Sequence, residues 1–323
     1  SQAFEAMPGQ SVLVDRFVSG TEYELDAVCD GADIVVPGIF EHLDPAGIHS
    51  GDSLAVFPDL SLNLSRKEEM VRIAASIAEA LDVRGLLNVQ FVENGGKLYV
   101  IEANPRASRT VPIVGKLTGV PLVELAVRVA LGQRLRDLGV PLGLLPPRGP
   151  LGVKVPVFST EKLPGVDSRP GPQMQSTGES LGVGECVATA RWEGLKGAGW
   201  VLPERGRILV SVNDASKAGA CSVAATLFGL GWEVEATEGT AGYFRRWGLP
   251  VATAEKGESL VNAIRERRWD LVVNVAGSRL GALKDGYAIR RAAIETGIPC
   301  VSSLPVASAL ALAMAVRRGN MKP

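Results

Sequence analysis

The pattern of apolar segments changes near Arg207, and this change limits the possible folds more than any other feature of the sequence. After this point, apolar strand-like segments (207–212 and 270–274) alternate with helical ones (217–228 and 287–296). Before it, strand-like segments follow one another with few helices between them. Strands separated by helices form parallel sheets covered on both faces, whereas consecutive strands favour antiparallel pairing. We therefore expect an α+β region followed by a doubly wound α/β region.

The composition excludes several classes of protein. The chain has 323 residues, which suggests about two domains of ~150 residues each. Its 34 basic and 35 acidic residues give no overall attraction to nucleic acid or to an anionic membrane. We find no apolar stretch of the ~18 residues that a membrane helix needs, and no signal-peptide pattern in Ser1–Gln10. Four separated cysteines and two histidines argue against a disulfide framework or a zinc site and favour a reducing cytoplasm.

The first region is expected to contain a buried strand, an alternating strand and an amphipathic helix. The buried strand covers Gln10–Phe17, the alternating strand covers Glu22–Asp30, and the helix covers Ser65–Leu81. Acidic residues at positions 22, 24 and 26 alternate with apolar ones, so the three carboxylates share one face of the second strand. The Pro- and Gly-rich stretch Gly132–Gly206 is expected to be a connector with some helix.

A hairpin is the most specific chemical signal. The segments Leu86–Glu93 and Lys97–Ala103 flank Asn94-Gly95-Gly96, a sequence typical of a tight turn. With a three-residue loop, four oxygen-bearing side chains share one face of the hairpin: Asn88, Gln90, Glu102 and Asn104.

Carboxylate and amide oxygens suit Mg²⁺, which takes few ligands from the protein and the rest from phosphates and water. Two arginines, Arg106 and Arg109, directly follow the hairpin, and their guanidinium groups fit phosphate oxygens. The pattern predicts a metal–nucleotide site. The alternative interpretation is a polar hairpin face with surface arginines.

The loop Glu41–Ser53 contains both histidines of the chain, His42 and His49. Its glycines, Gly47 and Gly51, permit close backbone approach to a ligand. An ordinary surface turn is the alternative, but the concentration of both histidines in one short motif favours a binding loop.

Three strings resemble the large subunits of carbamoyl-phosphate synthetases, within the ATP-grasp ligases. They are EHLDPAGIHSGDS, LLNVQFVENGGKLYVIEANPRASRTVP and KVPVFSTEKLPGVDSRPGPQMQSTGESLGVG. The resemblance implies that Gln90, Glu102 and Asn104 hold Mg²⁺ or Mn²⁺ bound to ATP. It also implies that Arg106, and by extension Arg109, contacts the transferred phosphoryl group.

The resemblance implies further nucleotide contacts upstream of the hairpin. The string VLVDRFVSGTEYELDAVCDG places Arg16 and Val18 at adenine and Glu22 at the ribose hydroxyls. His42 corresponds to a histidine near the phosphoryl acceptor. Four residues of the loop are expected on the nucleotide side: Gly47, Ile48, His49 and Ser50.

The reaction implied is phosphorylation of carbamate by ATP to carbamoyl phosphate, within glutamine-dependent synthesis for arginine or pyrimidine biosynthesis. The expected partners are a glutaminase small subunit and the remainder of the large subunit, in an oligomer. The glycine-rich lid of ATP-grasp enzymes is not found in the sequence, so we expect this chain alone to lack synthetase activity. The alternatives are another ATP-grasp ligase and a non-catalytic, nucleotide-binding regulatory module.

The segment after Arg207 resembles the methylglyoxal-synthase-like domains that regulate these enzymes. The expected domains are therefore a partial ATP-grasp lobe over 1–133, the connector over 134–204 and an allosteric domain over 205–323. Four residues lie at predicted strand ends or helix starts, where open parallel sheets bind ligands: Ser211, Lys217, Thr237 and Thr240. The resemblance implies that Lys217, Thr237 and Thr240 hold the phosphate of a nucleotide effector such as UMP or IMP, and that Asn274 lies near its sugar or base. The alternative is a purely structural domain.

Two departures from the family pattern predict weaker nucleotide binding or a different effector. Thr253 stands where a second phosphate-binding lysine is expected, and Ala276 where a threonine is expected. Asp44 and Asp52 match two positions that bind ornithine in some members. Val155 replaces a glutamate of that set, which argues against ornithine regulation.

Overall fold

The computed structural model describes residues 9, 11, 14–159, 171–275, 277 and 280–319. Within them, nine strands form the first sheet. They are β1 (Thr21–Asp30), β2 (Ile34–Val36), β3 (Ile39–His42), β4 (Ala55–Phe57), β5 (Arg84–Asn94), β6 (Lys97–Asn104), β7 (Gly143–Leu144), β8 (Leu151–Val157) and β9 (Gly178–Gly184). Seven of them lie in the order β6-β5-β1-β3-β4-β8-β9, and each neighbouring pair on this path is antiparallel. β2 pairs with β1 and with β7.

Helices cover both faces of this sheet. They are α1 (Leu64–Ala80), α2 (Val111–Thr118), α3 (Leu122–Ala130) and α4 (Val187–Gly197). Met70 and Ala74 of α1 pack on the face that carries Leu25 and Val89. The opposite face packs α2 and α3 at one end, and the remaining part of that face carries the polar residues of the candidate site.

The predicted helix is confirmed to within one residue, since α1 begins after Asn63, whose side chain accepts a hydrogen bond from the Arg66 amide. The predicted strand over Gln10–Phe17 is wrong over 14–17, which have no regular structure. Val14 is 83% and Phe17 69% exposed. Residues 10, 12 and 13 lie outside the described residues.

The Pro- and Gly-rich stretch contains a helix, α4, as expected, but also the strands β7, β8 and β9, which were not predicted. Glycine in β9 has a packing reason rather than a turn-forming one. A Cβ placed on Gly182 would lie 1.8 Å from the carbonyl oxygen of Ala190 and 2.2 Å from the amide nitrogen of Gly194, both in α4. The glycines therefore let α4 lie directly against β9.

The second sheet is entirely parallel, as expected from the alternating pattern. Its strands are β10 (Arg207–Val212), β11 (Glu233–Thr237), β12 (Ala252–Ala254), β13 (Leu271–Val275) and β14 (Cys300–Val301). Their order is β12-β11-β10-β13-β14. The helices are α5 (Lys217–Gly229), α6 (Glu238–Arg246), α7 (Glu258–Arg265), α8 (Leu280–Glu295) and α9 (Leu304–Arg317).

The second sheet is covered on both faces. Helices α5, α6 and α9 contribute to one core, and α7 and α8 contribute to the other. The first of these cores also includes Val153 and Val155 of β8 and Trp192 and Leu195 of α4. The two regions therefore share one continuous hydrophobic core. No helix among the described residues is long and apolar enough to cross a bilayer.

Candidate nucleotide–metal site

Gln90 and Glu102 lie directly opposite each other on β5 and β6, and Asn88 lies opposite Asn104. Residues in directly opposed positions point to the same face of a sheet, so the predicted row of oxygen-bearing side chains is present. The register that produces it differs from the predicted one. The turn has two residues, Gly95 and Gly96 at φ 56° and 76°, as in a hairpin of the NG type.

A two-residue turn alone would place Gln90 opposite Ile101 and send Glu102 to the other face. A β-bulge prevents this, because the register shifts between Gln90 and Phe91 and leaves Ile101 as the extra residue of β6. One added residue reverses which face every later side chain occupies. The bulge therefore returns Glu102 to the face of Gln90.

Hydrogen bonds orient the amides of this row. Gln90 Nε2 and Asn104 Nδ2 each donate to Glu102 Oε1 at 2.9 Å. Within the described part of the chain, no group donates to Gln90 Oε1, Glu102 Oε2 or Asn104 Oδ1. One carboxylate oxygen and two amide oxygens are thus left as acceptors on one surface, and Glu102 is exposed. This donor set fits Mg²⁺ or Mn²⁺ completed by phosphate and water. The described residues contain no group of three or more His, Cys, Asp or Glu that could hold a metal.

The loop Glu41–Ser53 reaches this row through a short 3-10 turn, Ser50–Asp52. Ser50 Oγ accepts a hydrogen bond of 2.9 Å from Gln90 Nε2. His49 caps the turn, with its Nδ1 accepting from the amide of Gly51 at 3.0 Å. The structure therefore brings Ser50 into contact with the row formed by Gln90, Glu102 and Asn104, hereafter the metal row, and places His49 in the same turn. The contacts of both residues with a nucleotide stay predictions.

Arg109 is held against the turn Ser50–Asp52, whereas Arg106 is exposed. The Arg109 guanidinium donates to Gly51 O at 2.6 Å and to Ser176 Oγ at 2.8 Å, and it pairs with Glu179 at 3.2 Å. Arg106 donates only to the neighbouring Ala107 carbonyl within the described residues. The Arg106 guanidinium is therefore open to a further partner, whereas Arg109 holds the turn, and contact of either arginine with phosphate stays a prediction.

His42 lies beneath the site, buried between two carboxylates. Its Nδ1 is 3.5 Å from Glu22 Oε2, and its Nε2 is 3.4 Å from Glu24 Oε2. Burial acts to lower the pKa of His42, but the hydrogen bonds to Glu22 and Glu24 raise it above the ordinary value. The imidazole therefore favours its charged form and ties β3 to β1.

The remaining predicted nucleotide contacts lie at the start of β1 and beside it. Glu22 Oε1 accepts from the amide of Gly47 at 2.9 Å, which fastens the loop to the strand. Arg16 is exposed, and Val18 and Ile48 are half-buried. Among the described residues, no hydrogen bond or ion pair connects Arg16 or Val18 to the metal row, and their roles stay predictions.

Two further acids on β1 have opposite environments. Asn88 Nδ2 donates to Glu24 Oε1 at 2.7 Å and to Asp26 Oδ1 at 3.0 Å. Burial acts to raise the pKa of Glu24, but hydrogen bonding to His42 and the charge of Lys154 lower it. Burial and the negative charge of Glu24 raise the pKa of Asp26. One carboxylate of the pair is therefore held ionised while its neighbour is pushed toward protonation.

These acids also hold the arginine loop. Ser108 Oγ donates to Asp26 Oδ1 at 2.6 Å, and Thr110 Oγ1 donates to Glu24 Oε1 at 3.1 Å. The loop between β6 and α2 is thereby anchored on the sheet beneath it. Sequence reasoning placed the acids on one face but did not assign them this role.

In the second region, a cavity of about 880 Å³ lies at the carboxyl ends of β10, β11 and β13. All five residues expected at an effector line it: Ser211, Lys217, Thr237, Thr240 and Asn274. Lys217 Nζ is 2.6 Å from Asp214 Oδ1. Thr237 precedes the first turn of α6, where helix amides favour an anion.

The expectation of a missing second lysine in this cavity is wrong. Lys256 lines the cavity, whereas Thr253 accepts a hydrogen bond from Arg245 instead. Ala276 lies outside the described residues. Sequence reasoning also missed Arg290, which is buried and donates to Asn274 Oδ1 at 2.7 Å.

Asp44 and Asp52, the pair expected at ornithine, line a smaller cavity of about 200 Å³ where the two regions meet. Both carboxylates already accept hydrogen bonds from the protein. Asp44 accepts from the Leu54 amide at 2.9 Å, and Asp52 accepts from the amides of Gln175 and Ser176 at 2.8 and 2.9 Å. Ornithine binding by this pair stays a prediction.

Comparison with known families agrees with this geometry. Residues 1–138 match the family described as carbamoyl-phosphate synthase L chain, ATP binding domain, and residues 219–302 match the MGS-like domain. The antiparallel lobe with its metal row and the parallel sheet with its cavity therefore define an ATP-grasp C-terminal lobe joined to a methylglyoxal-synthase-like domain.

Three bacterial relatives of this chain share one description, carbamoyl phosphate synthase large chain. That of Thermomicrobium roseum is 44% identical over 311 residues, which are 95% of this chain and 29% of that protein. Those of Agathobacter rectalis and Clostridium perfringens are 39% and 41% identical, over 97% and 96% of this chain and 30% of each relative. The chain thus spans less than a third of these relatives. Over almost its whole length it is similar to carbamoyl phosphate synthase large chains, and the order of its two regions fits the C-terminal part of such a chain.

Proposed function

We propose that the first region binds Mg²⁺–ATP or Mn²⁺–ATP and forms part of the site that phosphorylates carbamate to carbamoyl phosphate. The observation that carries this proposal is the row of Gln90 Oε1, Glu102 Oε2 and Asn104 Oδ1, which the exposed Arg106 follows in the chain. A metal on this row would supply charge neutralisation at the β- and γ-phosphates. In the whole large chain, the partners would be a glutaminase small subunit and the other two thirds of the large chain, in the cytoplasm.

The proposed reaction is attack of a carbamate oxygen on the γ-phosphorus of ATP, with ADP as the leaving group. Arg106 would bind the oxygens of the transferred phosphoryl group. The turn Ser50–Asp52 holds Gln90, and the acids on β1 hold the arginine loop, so the protein acts by positioning and by charge. No protein nucleophile is required.

The second region is proposed to bind a nucleotide effector such as UMP or IMP. Two lysines, Lys217 and Lys256, and the hydroxyls of Thr237 and Thr240 line one cavity at the carboxyl edge of the parallel sheet. This is where phosphate groups bind in open α/β sheets. A regulatory module without catalysis is the second candidate function, and this cavity is the observation that favours it.

Thermal unfolding of the chain with each ligand separates the two candidates. Mg²⁺–ATP is expected to raise the melting temperature, and Glu102→Ala to abolish this rise, because it removes the only carboxylate of the row. Glu124→Ala, a change at an exposed carboxylate on α3, is the control. UMP or IMP is expected to stabilise both the native chain and Glu102→Ala.

The effector arm uses Lys217→Ala, with the exposed Lys196→Ala as its control. Loss of UMP or IMP stabilisation in Lys217→Ala alone supports the effector site. Stabilisation by UMP or IMP with none by Mg²⁺–ATP would favour the regulatory module. Carbamoyl phosphate formation by this chain alone, in a coupled assay, would contradict the proposal that the chain supplies only part of the site.

A further inference from the structure

Lys154 is a charged residue in an unusual place. It lies on β8 with 2% of its surface exposed, whereas lysine is almost never fully buried without a partner. Its Nζ donates to the carbonyl oxygen of Ser50 at 2.7 Å. Burial lowers the pKa of Lys154, and the negative charges of Glu24 and Glu179 act in the opposite direction. The hydrogen bond to the Ser50 carbonyl gives the buried side chain a defined orientation.

The carbonyl that Lys154 binds belongs to the turn that contacts the metal row. Arg109 binds the next carbonyl along the chain, that of Gly51, at 2.6 Å. Two cations thus hold two consecutive peptide groups of the turn Ser50–Asp52. Because the Ser50 carbonyl points inward to Lys154, its peptide amide, on Gly51, points the other way and donates to His49 Nδ1.

The orientation of this turn determines the orientation of Gln90. Ser50 Oγ accepts from Gln90 Nε2, and the same nitrogen donates to Glu102 Oε1. With Nε2 held on both sides, the Gln90 amide cannot rotate without losing two hydrogen bonds. Its Oε1 therefore stays on the acceptor surface of the row.

We infer that Lys154 is a positioning residue for the metal row, acting through the Ser50 carbonyl and the Ser50 hydroxyl to hold the Gln90 amide oxygen toward the cation. This inference rests on the proposed metal–nucleotide function and adds a residue to it. Among the described residues, Lys154 Nζ donates to the Ser50 carbonyl and to no side chain of the row, so its effect on the row runs through the turn.

The test is Mn²⁺ binding to the chain in the presence of ATP, followed by electron paramagnetic resonance of the free ion. Lys154→Met removes the cation and keeps the side-chain volume, and Ser50→Ala removes the hydroxyl. Each is expected to weaken Mn²⁺ binding by about 10- to 100-fold, as for other residues that orient metal ligands. Lys196→Met, at an exposed lysine, is the matched control and should bind Mn²⁺ like the native chain.

The double variant distinguishes positioning from general support of the fold. If Lys154 acts through Ser50, the variant Lys154→Met/Ser50→Ala should bind Mn²⁺ as tightly as whichever single variant has the lower Mn²⁺ affinity. Additive losses, or native Mn²⁺ affinity in Lys154→Met, would overturn the inference. If Lys154→Met does not fold, Lys154→Met/Glu179→Gln also removes one of the negative charges that act on Lys154, and it is compared with Glu179→Gln under the same expectation.

Failure of the proposed function gives a different result. In that case the native chain itself binds no Mn²⁺ with ATP, and Glu102→Ala changes nothing. Failure of the Lys154 inference alone leaves native binding and its loss in Glu102→Ala intact.

Discussion

At the scale of single residues, the site depends on which buried carboxylates are ionised. Glu24 and Asp26 are two positions apart on β1 and share the amide of Asn88. His42 and Lys154 lie on the side of Glu24, so its charge is compensated. Asp26 has neutral donors only, and its Oδ2 is buried without a hydrogen-bond partner. The ionised form of Asp26 therefore costs free energy in the folded state.

The pH dependence of stability should reveal this cost. The folded-state pKa of Asp26 is raised above its ordinary value of 3.8, so the folded protein retains a proton that the unfolded chain releases. Stability from this group therefore falls as the pH rises from about 3.8 through the folded-state pKa. Asp26→Asn does not titrate and can keep both hydrogen bonds, because both go to Oδ1. Its stability relative to the native chain should rise over this range in urea unfolding.

Asp30→Asn is the matched control, with the opposite sign. Burial acts to raise the pKa of Asp30, but backbone amides of Asp33, Leu135 and Ala32 outweigh it and lower the pKa. The ionised form is therefore stabilising, and Asp30→Asn should be less stable than the native chain at neutral pH, with the deficit shrinking as the pH falls below 3.8. Parallel curves for the two variants would contradict this account of the acids on β1.

At the scale of secondary-structure elements, the bulge in β6 decides whether the hairpin can bind a metal. Deleting Ile101 should leave Mn²⁺ binding intact, because Val100 and Glu102 then alternate normally and Gln90 remains opposite Glu102. Adding one alanine after Ile101 should weaken binding, because regular pairing then places Glu102 opposite Asn88, two positions away from Gln90, and a retained bulge would send Glu102 to the opposite face. The measurement is Mn²⁺ titration with ATP.

Circular dichroism shows whether both hairpin variants keep their sheet content. β6 is an edge strand of the sheet, so neither change displaces another strand. Equal Mn²⁺ affinity in the deletion and insertion variants would show that the position of Glu102 opposite Gln90 does not matter, which contradicts the metal row.

At the scale of the whole molecule, α4 joins the two regions. It packs on β8 and β9 of the first sheet, and Trp192 and Leu195 of α4 share a core with the parallel sheet. Trp192 also lies under the guanidinium of Arg317 in α9, 4.9 Å from its ring centre. Displacing α4 should therefore destabilise both regions together.

Two glycines of β9 provide a matched test of this role. Gly182→Ala should destabilise the chain by about 3 kcal/mol or more, because its Cβ would overlap backbone atoms of α4 that cannot move aside. Gly178→Ala should be tolerated, since its Cβ would meet only Val157 Cβ, at 3.9 Å. Urea unfolding followed by tryptophan fluorescence measures both. A Gly182→Ala variant as stable as Gly178→Ala would contradict the close contact of β9 with α4.

Much of the architecture follows from local patterns. Alternation in 22–30 predicts β1, Asn94-Gly95 predicts the hairpin turn, and the strand–helix repeat after Arg207 predicts the parallel sheet. The residues of the metal row were also predicted together. Each of these inferences uses residues close in sequence, where steric preference and side-chain periodicity act directly.

Contacts between distant residues were decided by the tertiary structure alone. Lys154 and Ser50 are 104 positions apart, and nothing near either residue indicates that they meet. The strands β8 and β9 contain proline and glycine, and these residue types predict a connector from the sequence. Only the packing of α4 against the strands shows why glycine is needed there. Lys256 lines the cavity proposed for an effector because parallel strands bring their carboxyl ends to one edge.

The sequence by itself determined which side chains can bind a metal and a phosphate, because residue chemistry and strand periodicity are local properties. The tertiary structure decided how those side chains are oriented: the bulge at Ile101 turns Glu102 to the face of Gln90, and a buried lysine holds the turn beside Gln90. Side-chain orientation depends on packing and on buried charge, and both arise only when separate parts of the chain exclude water from one another.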